Sequence, residues 1–386
     1  MSERILLFFV AFVLLLLSGV APARAQEEQQ QKPSTPVPAE TPAPTEREEQ
    51  EPVKVFTEEV RLPVVAYDDY GHFDPGVSLD DILVLENGVA QQIRSVQRIP
   101  ASILFLLDTS GSITLAKDIK TTRAIALRLL GRLRADDALS VMQFSDHVEL
   151  LQDWTTDREK VAQVLKTKLS GAKRERLSEA ILAAASQLKD RPAGSRHLVL
   201  VTDGVETPGG KVSYAEAVRE LMGTQATVHI ISYTTAVRLA IERRNGRGIS
   251  RGGNGRQRET LPIPDPGLPP GQTRNPSVTI ATIDLDRKMR RWYEKYADQA
   301  RQSEQQLTKI AEETGGKILL AAKAEDMVAQ ADEVARDIGA QYVVTYTPRQ
   351  PLASARSGEY RHLEVASRRV GLQLRSRRGY VVTPTP

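Results

Sequence analysis

From Val53 onward, apolar residues recur at alternate positions (Val53 and Val55, then Val60, Leu62 and Val64), the period of a strand with one buried face. "DDYG" then marks a turn. In "ILVLENGVAQQI", Asn87-Gly88 lies between two apolar runs; both residues accept positive φ, so the spacing predicts a tight hairpin. A β segment over 53–100 is too small to fold alone.

The period changes at residue 101. Ser102 to Leu107 is a continuous apolar run, as expected of a strand covered on both faces. Lys117 to Leu133 carries apolar residues at helical spacing, and "ALSVMQF" reads as the next strand. Helical patterns at Arg158–Leu169 and Leu177–Leu188 lead into the strand "HLVLVT", then a helix over Tyr214–Met222 and the strand "TVHIISY". A helix ending in "EETGG", the strand "KILLA" and a helix over Ala324–Asp337 complete the series. Repeated strand–helix–strand units predict an α/β fold: a doubly wound, mainly parallel sheet between helices, spanning 101–341. One stretch breaks the rhythm. Residues 236–276 are rich in Gly, Pro and Arg and read as a long mobile basic insertion, either a solvated loop or a contact for an anionic partner. From Tyr342 to the end, "YVVTYTP", "YRHLEVAS" and "VGLQLRSRRGYVV" return to β. The simplest assembly joins 342–386 to 53–100 as a small β-sandwich, with the α/β domain inserted between its halves.

Composition adds an address. Residues 1–25 have the form of an export signal: Arg4, the apolar stretch Ile5–Val20, and Ala23-Arg24-Ala25 as a cleavage site. The alternative is an uncleaved membrane anchor, because the apolar run is only slightly short of a bilayer span. Residues 26–52, nearly all Gln, Glu, Pro, Thr and Ala, cannot bury enough apolar surface to order and read as a disordered linker. The expected location is therefore periplasmic, cell-surface or extracellular. With no cysteine among 386 residues, disulfides and a lipid-modified N-terminal cysteine are excluded. A formal charge of +3 gives no reason to expect a nucleic-acid partner, and export argues against one.

Candidate chemistry sits where "ILFLLDTSGSIT" passes from apolar residues into small oxygen ligands. In an open parallel sheet, ligands bind beyond the carboxyl ends of the strands. Asp108, Ser110 and Ser112 follow one strand, and Asp203 of "TDG" follows another, so these oxygens converge at one edge. Hard oxygen donors without His or Cys favour Mg²⁺, Mn²⁺ or Ca²⁺ over zinc. The competing reading of Asp108–Ser112 is a helix cap and turn, and of Asp203-Gly204 a turn. Trp154 and Trp292 read as packing residues; His147, His197 and His229 receive no role.

Asp108-Thr109-Ser110-Gly111-Ser112 resembles the D-x-S-x-S signature of von Willebrand factor A domains, and "TDG" after a later strand is similar to theirs. The flanks "LDDILVLENGVAQQI" and "QYVVTYTP…YRHLEV…LRSRRGY" resemble those of the bacterial, acidobacterial-type VWFA-related family. The resemblance implies a Rossmann-like sheet and a five-part metal-ion-dependent adhesion site. In that family the two serines and a threonine from a second loop contact the metal, the aspartates act largely through water, and a partner protein's acidic side chain completes the coordination. Asp108, Ser110, Ser112 and Asp203 take those roles by resemblance. The threonine is missing: five residues before Ala180, in "KRERLSEAIL", stands Glu175. Glu175 is either a charged ligand in its place or a solvent-facing side chain beside a weak site; Ser178 is a poorer substitute because it falls inside a helix. The implied function is a non-enzymatic, metal-dependent binding or adhesion module. The alternative is a metal-independent envelope scaffold with a degenerate site. A hydrolase is disfavoured by the lack of a cysteine nucleophile, of G-x-x-x-x-G-K-[ST] and of G-x-S-x-G, and by Ser110 where a phosphatase-like aspartate would want a second acid.

Overall fold

The computed structural model describes residues 58–111, 118–250, 282–356 and 358–382. The signal (1–25), the linker (26–52), Ser112 and most of the 236–276 insertion lie outside them, as do Val53 and Val55.

Strands β1 (Val60–Asp68), β2 (Ile82–Glu86), β3 (Val89–Ala90) and β4 (Gln92–Gln97) come first. The β2–β3 hairpin turns through Asn87 and Gly88 at φ 50° and 77°, the paired positive values this turn demands. After the α/β segment follow β11 (Gln341–Thr347), β12 (Tyr360–Ser367), β13 (Leu372–Ser376) and β14 (Gly379–Val381). Neither group forms a sheet by itself. The strands assemble as β13-β1-β11-β4 and β14-β12-β2-β3, so each sheet mixes the two ends of the chain. Leu62 and Val64 of β1, Val84 of β2, Val344 and Tyr346 of β11 and Leu363 of β12 share one buried cluster. Alternation along β2 also points Glu86 inward, where Arg361 meets it at 2.8 Å and the Tyr346 and Tyr380 hydroxyls donate to it at 2.7 and 3.0 Å. Burial without such partners would be prohibitive for either charge.

Between these groups lie β5 (Ser102–Asp108), α1 (Ile119–Arg132), β6 (Ala138–Phe144), β7 (Val148–Thr155), α2 (Arg158–Thr167), α3 (Leu177–Lys189), β8 (Arg196–Thr202), α4 (Tyr214–Gly223), β9 (Thr227–Ser232), α5 (Thr234–Ser250), α6 (Thr282–Glu313), β10 (Ile318–Leu320) and α7 (Ala324–Gly339). The sheet order is β10-β9-β8-β5-β6-β7; every neighbouring pair is parallel except the edge pair β6–β7. All seven residues of β5 are buried because helices cover both faces. Ile103, Phe105 and Leu107 pack with α1, α2 and α7, while Leu104 and Leu106 pack with α3, α4 and Leu307 of α6. Each such side chain contributes about 1.5–3 kcal/mol by leaving water. Among the described residues, no helix is long and apolar enough to cross a membrane.

Two elements differ from the sequence reading. Residues 236–250 do not begin a loop: they continue α5, held by Ala236, Val237 and Ile241 in the core. Gly246 and Gly248 each disfavour a helix by about 1 kcal/mol, a penalty that tertiary packing of the preceding turns outweighs. β7 went unrecognised because, as an edge strand with mostly exposed or half-buried positions, it lacks an apolar run. Two of the histidines meet in the core. His197 of β8 and His229 of β9 are fully buried and stacked, with ring centroids 5.7 Å apart. Among the described residues their ring nitrogens have no hydrogen-bond partner, and His229 Nδ1 lies 4.0 Å from Asp337 of α7. Asp337 also accepts from Tyr67 of β1 and pairs with Lys317 and with Arg375 of β13, tying helix to sandwich.

Candidate metal centre

Parallel strands deliver their carboxyl ends to one edge, and three loops meet there. The first follows β5. Its Asp108 Oδ1 accepts the Ser110 N–H at 2.9 Å, a local turn, but α1 is capped by Asp118, whose carboxylate accepts from Lys120 and Thr121. Asp108 is therefore not spent as a helix cap.

The second loop precedes α3. Gly111 N–H donates to the Ala172 carbonyl at 2.5 Å, and Ser110 forms a parallel bridge with Ala172. This approach depends on Gly171, where a Cβ would lie 2.7 Å from the Thr109 carbonyl and from Ile119. With the loops so close, Glu175 turns inward. It is only 4% exposed, and its carboxylate accepts from Ser110 Oγ at 3.2 Å and Thr202 Oγ1 at 3.1 Å. The solvent-facing alternative for Glu175 is thereby corrected. Ser178 lies apart, donating its hydroxyl to Glu206 at 2.5 Å.

The third loop follows β8. Asp203 Oδ1 accepts the Val205 N–H at 3.2 Å across a turn in which Gly204 has φ 67°. Asp108, Glu175 and Asp203, all buried, each offer a carboxylate oxygen within 4.8 Å of the others. Two full charges at 4.8 Å repel by about 3 kcal/mol at an effective dielectric constant near 20. A cluster of three acids with the Ser110 and Thr202 hydroxyls, and no imidazole or thiolate in the set, fits a hard divalent cation.

Two residues of this neighbourhood were not singled out from sequence. Thr202 Oγ1 lies 2.8 Å from Asp108 Oδ2 and 3.1 Å from Glu175 Oε1, so its single proton is shared between two acids. Its only signal was its place beside Asp203. Tyr296 of α6 donates to Asp203 Oδ2 at 2.6 Å, and nothing local in the sequence pairs these residues. Trp292 packs on Tyr293 and Tyr296, with ring centroids 5.1 and 5.5 Å away, while staying 38% exposed; Trp154 packs against the core.

An open α/β sheet with acidic and hydroxyl side chains at its carboxyl edge defines a class of ligand-binding domain. Residues 103–206 match the family model of the von Willebrand factor type A domain. Such a domain points to protein–protein interaction. Among solved structures, the chain is similar to a von Willebrand factor type A protein from Catenulispora acidiphila (10% identity, 84% of this chain and 74% of that chain, TM-score 0.40). It is also similar to an aerotolerance-related membrane protein from Bacteroides fragilis (14% identity, 62% and 98%, TM-score 0.37). A third similar structure is BatB from Bacteroides thetaiotaomicron (15% identity, 62% and 98%, TM-score 0.38). No curated protein gives a significant match.

Proposed function

We propose that this chain is an exported, non-enzymatic interaction protein in which Asp108, Ser110, Ser112, Glu175 and Asp203 hold a divalent cation, Mg²⁺, Mn²⁺ or Ca²⁺, that takes an acidic side chain of a protein partner. The observation that carries the reading is the meeting of three buried carboxylates at one sheet edge within the family match. A hard cation bound there supplies an oxygen-seeking positive centre. Glu175 and Asp108 share the Thr202 hydroxyl, which sets their spacing, while Ser110 ties the first loop to the second. Replacing the family's threonine by Glu175 adds a negative charge, so the pull on an incoming carboxylate is weaker than in a site with two acids. Exposed Lys173 and Arg174, next to Glu175 in the chain, favour an acidic partner.

Export is proposed on the signal-like sequence of residues 1–25. The domain plan is a 53–100 and 342–386 sandwich carrying the 101–341 domain. A metal-independent scaffold is favoured by one observation: Ser110 and Thr202 already donate to the acids. Calorimetric titration of the mature chain with Mg²⁺ or Mn²⁺ separates the two. Uptake that disappears in Asp108→Ala supports the cation site, and absence of uptake by the parent supports the scaffold. Capture of envelope proteins with and without chelator then tests metal dependence of partner binding.

A further inference from the structure

α6 has an unusual course. Tyr293, about a third of the way along it, is buried in the core on the α1–α7 face of the sheet, whereas Leu307, Ile310 and Ala311 are buried on the α3–α4 face. The helix therefore crosses the carboxyl edge of the strands. It is fastened along the crossing. The Ser303 hydroxyl donates to the Gly204 carbonyl at 2.6 Å, and Thr234 at the start of α5 donates to Glu304 at 2.8 Å. Two turns before Ser303, Tyr296 holds Asp203.

This crossing meets a requirement of the site. A cation that captures a partner's side chain needs a coordination position open to solvent, yet Asp108, Glu175 and Asp203 are 1%, 4% and 0% exposed. Both oxygens of Asp203 accept hydrogen bonds, one from the Val205 amide and one from Tyr296. The amide belongs to the turn and moves with it; the tyrosine belongs to a separate helix. Trp292, stacked on Tyr296 and partly exposed, belongs to that same helix.

We propose that α6 is a latch across the carboxylate site and that the Tyr296 hydroxyl is its catch, released when Asp203 turns to the cation and exposing the site to an acidic partner. This rests on the cation reading above. Tyr296 is thus a positioning residue that competes for Asp203 Oδ2, and the closed arrangement described here is the resting one.

The test uses the full mature chain and Mg²⁺ alone. In a Trp154→Phe background Trp292 is the sole indole, and acrylamide quenching reports its exposure. Mg²⁺ is expected to raise quenching in the parent, and Tyr296→Phe, which keeps the ring, is expected to show raised quenching before Mg²⁺ is added. By calorimetry Tyr296→Phe is expected to bind Mg²⁺ about tenfold more tightly, the equivalent of ~1.4 kcal/mol of released competition. Mg²⁺ uptake with equal or weaker affinity in Tyr296→Phe, or quenching indifferent to Mg²⁺, would overturn the latch and leave the cation site standing. No uptake by either chain would sink the cation site, and the latch with it.

Discussion

Replacing Glu175 by glutamine keeps the size of the side chain and removes one of three clustered charges. Each charged neighbour within 4.8 Å costs about 3 kcal/mol at an effective dielectric constant near 20, and Glu175 has two such neighbours. Against this relief, the bonds from Thr202 and Ser110 lose their charge assistance, a loss of about 1 kcal/mol each. The net expectation for the metal-free protein is a gain of roughly 4 kcal/mol, which for a domain of this size raises Tm by at least about 5 °C. In Mg²⁺ the gap narrows: a ligand at a hundred times its Kd stabilises by about 2.7 kcal/mol, and the parent gains that while the variant gains little. Thermal or urea unfolding in excess EDTA and in excess Mg²⁺ reads both effects. The reasoning fails if Glu175→Gln is less stable than the parent in EDTA while its response to Mg²⁺ is unchanged. That outcome would make Glu175 a hydrogen-bonded anchor of the loop.

Other consequences follow from the same packing. Burial lowers the His229 pKa to about 4, and His197 is pushed down by burial and by the neighbouring His229. A histidine whose folded pKa lies below its unfolded value stabilises the protein fully above about pH 6.5 and loses that contribution as pH falls towards 4. Urea unfolding across this window should show about 3 kcal/mol lost through His229, and His229→Gln should flatten the slope; a parent equally stable at both ends would refute this. Gly171→Ala forces a Cβ into the Thr109 carbonyl and should weaken Mg²⁺ uptake at least tenfold while costing about 1–3 kcal/mol of stability; unchanged calorimetry would count against loop-on-loop closure. Arg361→Met strands Glu86 in the sandwich core and should cost about 3 kcal/mol in urea unfolding. Asp108→Ala should keep a cooperative melt, because its lesion lies at the sheet rim.

Much of the architecture was legible because local patterns and packing agree. The apolar run of β5, the helical spacing of α1 and α3 and the Asn87-Gly88 turn each state their structure within a dozen residues. The convergence of Asp108 and Asp203 was legible for a topological reason: both follow parallel strands of one sheet, which end at the same edge. Glu175 was reachable only by counting along a resemblance, and its inward turn depends on contact between two loops at Gly171. Tyr296 was out of reach, since its partner lies 93 residues away and the two meet only because α6 crosses the rim. The stacking of His197 on His229 depends on the side-by-side pairing of β8 and β9, which no spacing in the chain specifies. In α5, glycines that speak for a loop lie beyond the apolar residues that hold the helix.

The most direct measurement is anomalous diffraction from crystals of the mature chain soaked in Mn²⁺. The account predicts a single strong peak among the carboxylates of Asp108, Glu175 and Asp203, lost in Asp108→Ala crystals. A map without density there, with the three acids still bonded to Ser110, Thr202 and Tyr296, would contradict it.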